Sequence, residues 1–145
     1  MKVKRFLIAL LLGIAVLCVS GCTAKPEQQK LQSFKLGEVY GQFNKEPLYI
    51  EVTMSDEYRC NFTIEDKEQI DEIYSFVSEQ VWYLYEQETI PPGSNKSVKF
   101  VFNDDSCFSI GTRSLIYRGE TYLMTNSMEL DIMLEEIGRE KGVIS

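Results

Sequence analysis

Four cysteines and 22 carboxylates are the reactive side chains of this 145-residue chain, which contains no histidine. Without imidazole, the commonest general base near neutral pH and the commonest zinc ligand are both missing. A Ser-His-Asp or Cys-His relay therefore cannot be assembled within one chain. No glycine-rich phosphate loop follows a strand pattern. Asn103-Asp104-Asp105-Ser106 gathers oxygens of the kind that bind calcium. It lacks the alternate acids, central glycine and distal glutamate of an EF-hand loop, and the turn preference of Asn and Asp explains the same residues. Paired carboxylates could cleave a glycoside, but no spacing selects one pair, and a domain this small leaves little depth for a sugar cleft. No metal or cofactor is expected.

One cysteine has a specific context. Residues 1–5 carry Lys2, Lys4 and Arg5, and residues 6–19 form an apolar run, FLIALLLGIAVLCV. A basic head followed by a short apolar core is the pattern of an export signal. Fourteen helical residues reach roughly 21 Å, short of the roughly 30 Å hydrocarbon core, so a permanent span is the weaker reading. Val19-Ser20-Gly21-Cys22 follows. This resembles the bacterial lipobox: an aliphatic residue, two small residues and a cysteine. Small side chains there suit a peptidase that must admit an extended backbone. The resemblance implies that the Cys22 thiol receives diacylglycerol and that cleavage after Gly21 makes it the first mature residue. Valine stands at position 19, where the pattern more often has leucine. Cys18, inside the apolar run, reads as a small hydrophobe.

Removing Lys2, Lys4 and Arg5 from the 15 basic residues leaves 12 against 22 acids, a mature net charge near −10. Such a surface repels nucleic-acid phosphate and anionic lipid headgroups, and nucleic acid is set aside as a partner. Residues 22–33 are polar and aperiodic and read as a tether. A single folded domain is expected over residues 34–145.

The elements of that domain are legible from periodicity. Leu48, Ile50, Val52 and Met54 alternate, as do Tyr58, Cys60, Phe62 and Ile64, across a short polar break. Period two with a break predicts a hairpin with one buried face. A weaker strand is expected within residues 34–43. Ile70, Ile73, Tyr74, Val77, Val81 and Leu84 then follow helical spacing, with Asp66 placed to cap the start. Pro91-Pro92-Gly93 closes the following loop. Val98, Phe100 and Phe102, then Phe108 and Ile110, predict a second hairpin around residues 103–105. Arg118-Gly119 between Leu115-Ile116-Tyr117 and Tyr122 signals a two-residue turn. Leu130, Met133, Leu134 and Ile137 mark a final helix, with Asn126 or Ser127 at its start and Gly138 or Gly142 at its end. The expected fold is α+β: a mostly antiparallel sheet of about five to seven strands with two helices on one face.

Export permits a Cys60–Cys107 disulfide. Cys60 falls in phase with Phe62, on the buried face, whereas Cys107 falls out of phase with Phe108 and Ile110, so their Cβ vectors should diverge. Aromatic residues crowd the end of the first long helix. On a helical wheel Trp82 lies to one side of the buried stripe, and Phe76 and Tyr83 to the other. Large aromatics off a core stripe suit a partner surface. A wide sheet or the loop at residues 86–96 could cover the same residues.

A lipobox, a polar tether and a small acidic strand–helix–strand–helix domain are together similar to small lipoproteins of Gram-positive bacteria that carry a domain of unknown function. The specific motif of that resemblance covers the first 22 residues. It implies a location, the extracytoplasmic face of the cell membrane, with the bilayer as the anchor's partner. It implies no activity. The expected function is non-catalytic binding of an envelope protein or peptide. Two alternatives are an accessory or inhibitory subunit of an envelope complex and a small hydrolase using paired carboxylates.

Overall fold

The computed structural model describes residues 30–55, 58–87 and 96–144. The signal, the lipobox and Cys22, most of the tether and the Pro91-Pro92-Gly93 loop lie outside the described residues. Among the described residues, no helix is long and apolar enough to cross a membrane.

The domain is α+β, as its periodicities predict. β1 (Ser33–Phe34) leads into a short α1 (Leu36–Val39) and a 3-10 turn (Gly41–Asn44). β2 (Pro47–Met54) and β3 (Cys60–Ile64) precede α2 (Lys67–Glu79). β4 (Trp82–Leu84), β5 (Lys96–Phe102), β6 (Cys107–Gly111), β7 (Ser114–Tyr117) and β8 (Glu120–Met124) lead to α3 (Ser127–Glu140). The strands form two antiparallel sheets of four, ordered β1-β4-β8-β7 and β3-β2-β5-β6, where one sheet of five to seven was expected. Alternation records which face of a strand is buried, not which strand it joins. The switch occurs at Gly111-Thr112-Arg113. There the Thr112 N–H reaches back to the Lys96 carbonyl of one sheet, and the Met124 N–H donates to the Arg113 carbonyl in the other.

Both long helices lie over the inner face of the β3-β2-β5-β6 sheet. Ile70, Ile73 and Val77 of α2 and Leu130, Leu134 and Ile137 of α3 are buried. They share one core with Ile50, Val52, Ile64, Val98 and Phe100 from the strands. The Asp66 carboxylate accepts from the Gln69 N–H at 3.0 Å and caps α2 as its position predicted. Arg118 and Gly119 both have positive φ, 52° and 83°, which makes the β7–β8 connection the expected tight hairpin turn. Gly142, at φ 69°, ends α3, whereas Gly138 lies inside it. A Cβ at Gly138 would sit 2.4 Å from Ile144 Cδ1, so this glycine lets the C-terminal segment fold back onto the core.

Three local expectations are corrected. Only Ser33–Phe34 of residues 34–43 and their flank are extended; the rest coils, which delivers Leu36 and Phe43 to the core. Leu48 is the extra residue of a β-bulge between Pro47↔Phe102 and Tyr49↔Val101, and it points out, breaking the alternation of Ile50, Val52 and Met54. The first long helix stops at Glu79, so Val81 and Leu84 do not extend its stripe. Gln80 is extended and its amide bridges away: its carbonyl oxygen accepts from Thr125 Oγ1 at 3.0 Å and from Asn126 Nδ2 at 3.3 Å. Trp82, Tyr83 and Leu84 then pair with Met124, Leu123 and Tyr122. Aromatic residues fit a pleated surface better than a helix, and pairing on both sides satisfies their backbone groups.

Candidate functional site

The short strand β4 decides where the aromatic candidates go. Side chains alternate across a strand, so Trp82 and Tyr83 take opposite faces. Trp82 turns inward and is fully buried, which removes it from any partner surface. The helical wheel misplaced it because residues 82–84 are not helical. Phe76, on α2, is partly buried and packs against the core. Tyr83 alone of the three stands out in solvent, 43% exposed.

Register extends the face that Tyr83 occupies. Ser33 and Leu123 flank Tyr83 in adjacent strands, and Leu123 in turn faces Ser114. Thr121 and Ile116 form the next row. Met128, in the first turn of α3, closes one side. Tyr83, Arg113, Leu123, Met124, Ser127 and Met128 line a shallow cleft of ≈ 260 Å³. Ile116 and Met128 are 72% and 74% exposed, and a group of exposed apolar side chains, unlike a single one, marks a candidate contact surface. Sequence reasoning missed Arg113, Ile116, Leu123 and Met128. The available signal was that Ile116 and Leu123 fall out of phase with their buried neighbours Leu115 and Tyr122.

Behind the cleft lies an ionic cluster joining the two sheets to α3. The Lys96 side chain is 7% exposed, and its ammonium donates to Glu135 Oε1 at 2.7 Å and lies 3.8 Å from Asp131 Oδ1. The Arg113 guanidinium donates to Asp131 Oδ2 at 3.2 and 3.4 Å, and Arg139 approaches Glu135 at 3.4 Å. Asp131 thus holds the inner side of Arg113, whose outer half remains exposed at the cleft. Asp131 and Glu135 lie one turn apart on α3, and each faces two cations.

The thiols and the acidic turn are also placed. Cys60 and Cys107 are both free. They sit on the two outer strands of one sheet, three strand spacings or roughly 14 Å apart, beyond the reach of a disulfide. Cys60 is half-buried and Cys107 exposed, on the opposite phase from Phe108 and Ile110 as alternation predicts. Asn103-Asp104-Asp105 forms the expected turn between β5 and β6, with Asp105 at φ 61°. The Asp104 carboxylate is occupied by Lys45 Nζ and by the Ser106 hydroxyl and N–H, the last at 3.2 Å.

These donors, Lys45 foremost and Ser106 next, hold the Asp104 carboxyl well below the usual carboxylate range. A depressed carboxyl stabilises the fold above its unfolded value near pH 4, and that contribution is lost as pH falls through its lower folded value. NMR titration should therefore find Asp104 still ionised below the ordinary carboxylate range. In Lys45→Met the Asp104 midpoint should move up toward the ordinary carboxylate value. An unchanged midpoint in the variant would mean that the Lys45 contact is absent in solution.

No family model, no curated protein and no solved structure matches the chain.

Proposed function

We propose that the mature chain is a lipid-anchored interaction domain, carried on the extracytoplasmic face of the cytoplasmic membrane by acylated Cys22. Val19-Ser20-Gly21-Cys22, directly after a basic head and a short apolar run, is the observation that carries the reading. Two or more acyl chains bind a membrane stably, whereas one is marginal, so this anchor suffices without a spanning helix. The face around Tyr83 supports an interaction role, because it offers exposed apolar side chains and a cleft in an otherwise acidic, hydrophilic domain. The domain acts by binding rather than by turnover. Anchoring raises the local concentration of any partner at the membrane, so a weak contact is enough.

The test is acylation. Cells expressing the parent chain and given labelled palmitate should yield a labelled protein whose mass lacks residues 1–21. Cys22→Ala should take up no label and should retain those residues, since the thiol is the acceptor and acylation precedes cleavage in the lipobox pattern. Equal label in the two chains, or none in either, would defeat the reading.

A further inference from the structure

We infer that the outer face of the β1-β4-β8-β7 sheet lies against the lipid surface that holds the anchor. This rests on the acylated Cys22 of the proposed function and names the partner of the Tyr83 surface.

Three independent observations point to a bilayer. The first is charge. The outward strand positions are Ser33, Tyr83, Thr121, Leu123, Ser114 and Ile116, with no carboxylate among them. A mature chain near −10 with 22 acids has thus kept one sheet face free of them. Arg113 borders that face at the cleft, its inner side held by Asp131 and its outer half exposed. A guanidinium over an apolar surface is suited to lipid phosphate, which it meets bidentately.

The second observation is what the face exposes. Tyr83, Ile116 and Met128 project from it, and Ile132, 50% exposed, follows Met128 one turn along the same side of α3. These are four of the seven exposed large hydrophobics among the described residues. Tyrosine beside aliphatic side chains, with one arginine at the border, is a composition that settles at headgroup depth. Tyr83 and Met128 line one cleft there, and Ile116 lies beyond it on the same sheet face.

The third observation is chain reach. Ser33 pairs with Tyr83 at the sheet edge, and Leu31 already packs against the core. Eight chain steps separate Cys22 from Lys30. Fully extended they span at most about 29 Å, and as a flexible chain about 16 Å on average. The tether therefore enters the domain at the edge of this sheet, where Ser33 pairs with Tyr83. Tethering at that distance gives the face an effective concentration at the bilayer in the millimolar range, so weak intrinsic affinity suffices.

The experiment uses full-length acylated protein, purified from membranes and reconstituted into phosphatidylcholine–phosphatidylglycerol vesicles containing doxyl-labelled lipid. Tryptophan is introduced separately at Ile116, at Met128 and, as a control on the other sheet, at exposed Leu48; buried Trp82 is a constant background. The added emission in Ile116→Trp and Met128→Trp should fall by roughly half and shift to the blue, because side chains on a docked face enter the headgroup region. Leu48→Trp should be unaffected. In a Tyr83→Trp reporter, adding Ile116→Glu and Met128→Glu should remove the quenching while the protein still floats with the vesicles. Floating, labelled protein with all three positions unquenched overturns the face proposal and leaves the anchor standing. Emission at positions 116 and 128 that follows the protein-to-lipid ratio, not the doxyl content, assigns the face to a second copy and also overturns it. Protein that takes no palmitate and does not float overturns the anchor, and the face proposal with it.

Discussion

Lys96→Ala should lower the unfolding free energy by about 3–5 kcal/mol, measured by urea denaturation. The expected size comes from what the substitution leaves behind. Asp131 is buried with its Oδ1 beyond hydrogen-bond length of any donor and 3.8 Å from the lysine nitrogen. Glu135 is three-quarters buried and takes its shortest contact, 2.7 Å, from the same nitrogen. Losing the ammonium leaves two carboxylates close together on one helix flank, with only the half-exposed Arg113 and Arg139 to answer them. Removing one member of a buried ionic group is costly because the other cannot recover its hydration. The coupling is the diagnostic part. Asp131→Asn in the Lys96→Ala background should cost less than Asp131→Asn alone, a non-additivity of about 1–3 kcal/mol. Additive losses would mean that the two side chains do not meet. Because Arg113 is held by Asp131, either substitution should also loosen the arginine that borders the Tyr83 cleft.

Trp82→Ala should be comparably severe, about 3–5 kcal/mol, since it empties the largest fully buried side chain in the domain. Trp82→Phe should cost far less, about 1.5 kcal/mol or below, as a smaller apolar swap. The indole Nε1–H makes no hydrogen bond, so its loss removes no partner. Trp82 is the only tryptophan, so native fluorescence reads its surroundings directly. Emission should be blue-shifted and resistant to iodide until the protein unfolds. A surface Trp82 would instead be quenched freely, and its alanine variant would lie within about 0.5 kcal/mol of the parent. The same measurement therefore separates a strand that buries Trp82 from a helix end that presents it.

The case of Trp82 also shows where periodicity stops being informative. Residues 70–77 repeat at helical spacing, and extending that spacing to Val81 and Leu84 keeps one stripe. A stripe and an alternation coincide over so few residues, so a five-residue aromatic run after the helix carries little local signal of its own. The Gln80 bridge to Thr125 and Asn126, some 45 residues away in sequence, ends the helix. Pairing of β4 between β1 and β8 then supplies the hydrogen bonds that a helix would have made. Leu48 is a similar case: alternation placed it inward, and a bulge against β5 turned it out. The helix end has no residue-level signature nearby, and the bulge has only Pro47 beside it. By contrast, the Asp66 cap, the Arg118-Gly119 turn and the opposed phases of Cys60 and Cys107 are short-range steric and hydrogen-bonding effects, and each was legible.

Sequence alone therefore determined the local chemistry of this protein. The two long helices, both hairpins and the tight turns follow from periodicity, capping and φ preferences within a few residues, whereas β4 and residues 34–43 do not. The absence of histidine and the acidic balance narrow the chemistry, and the Val19-Ser20-Gly21-Cys22 pattern supports the proposed anchor. Tertiary structure decided what distant segments do to each other. It split the strands into two sheets, buried Trp82, gathered Lys96, Arg113, Asp131 and Glu135, and brought Tyr83, Leu123 and Ile116 onto one sheet face with Met128 beside it. The reason is physical: a side chain's exposure depends on which surface packs over it. That partner is chosen by the free energy of the whole core, not by the neighbours a residue has along the chain.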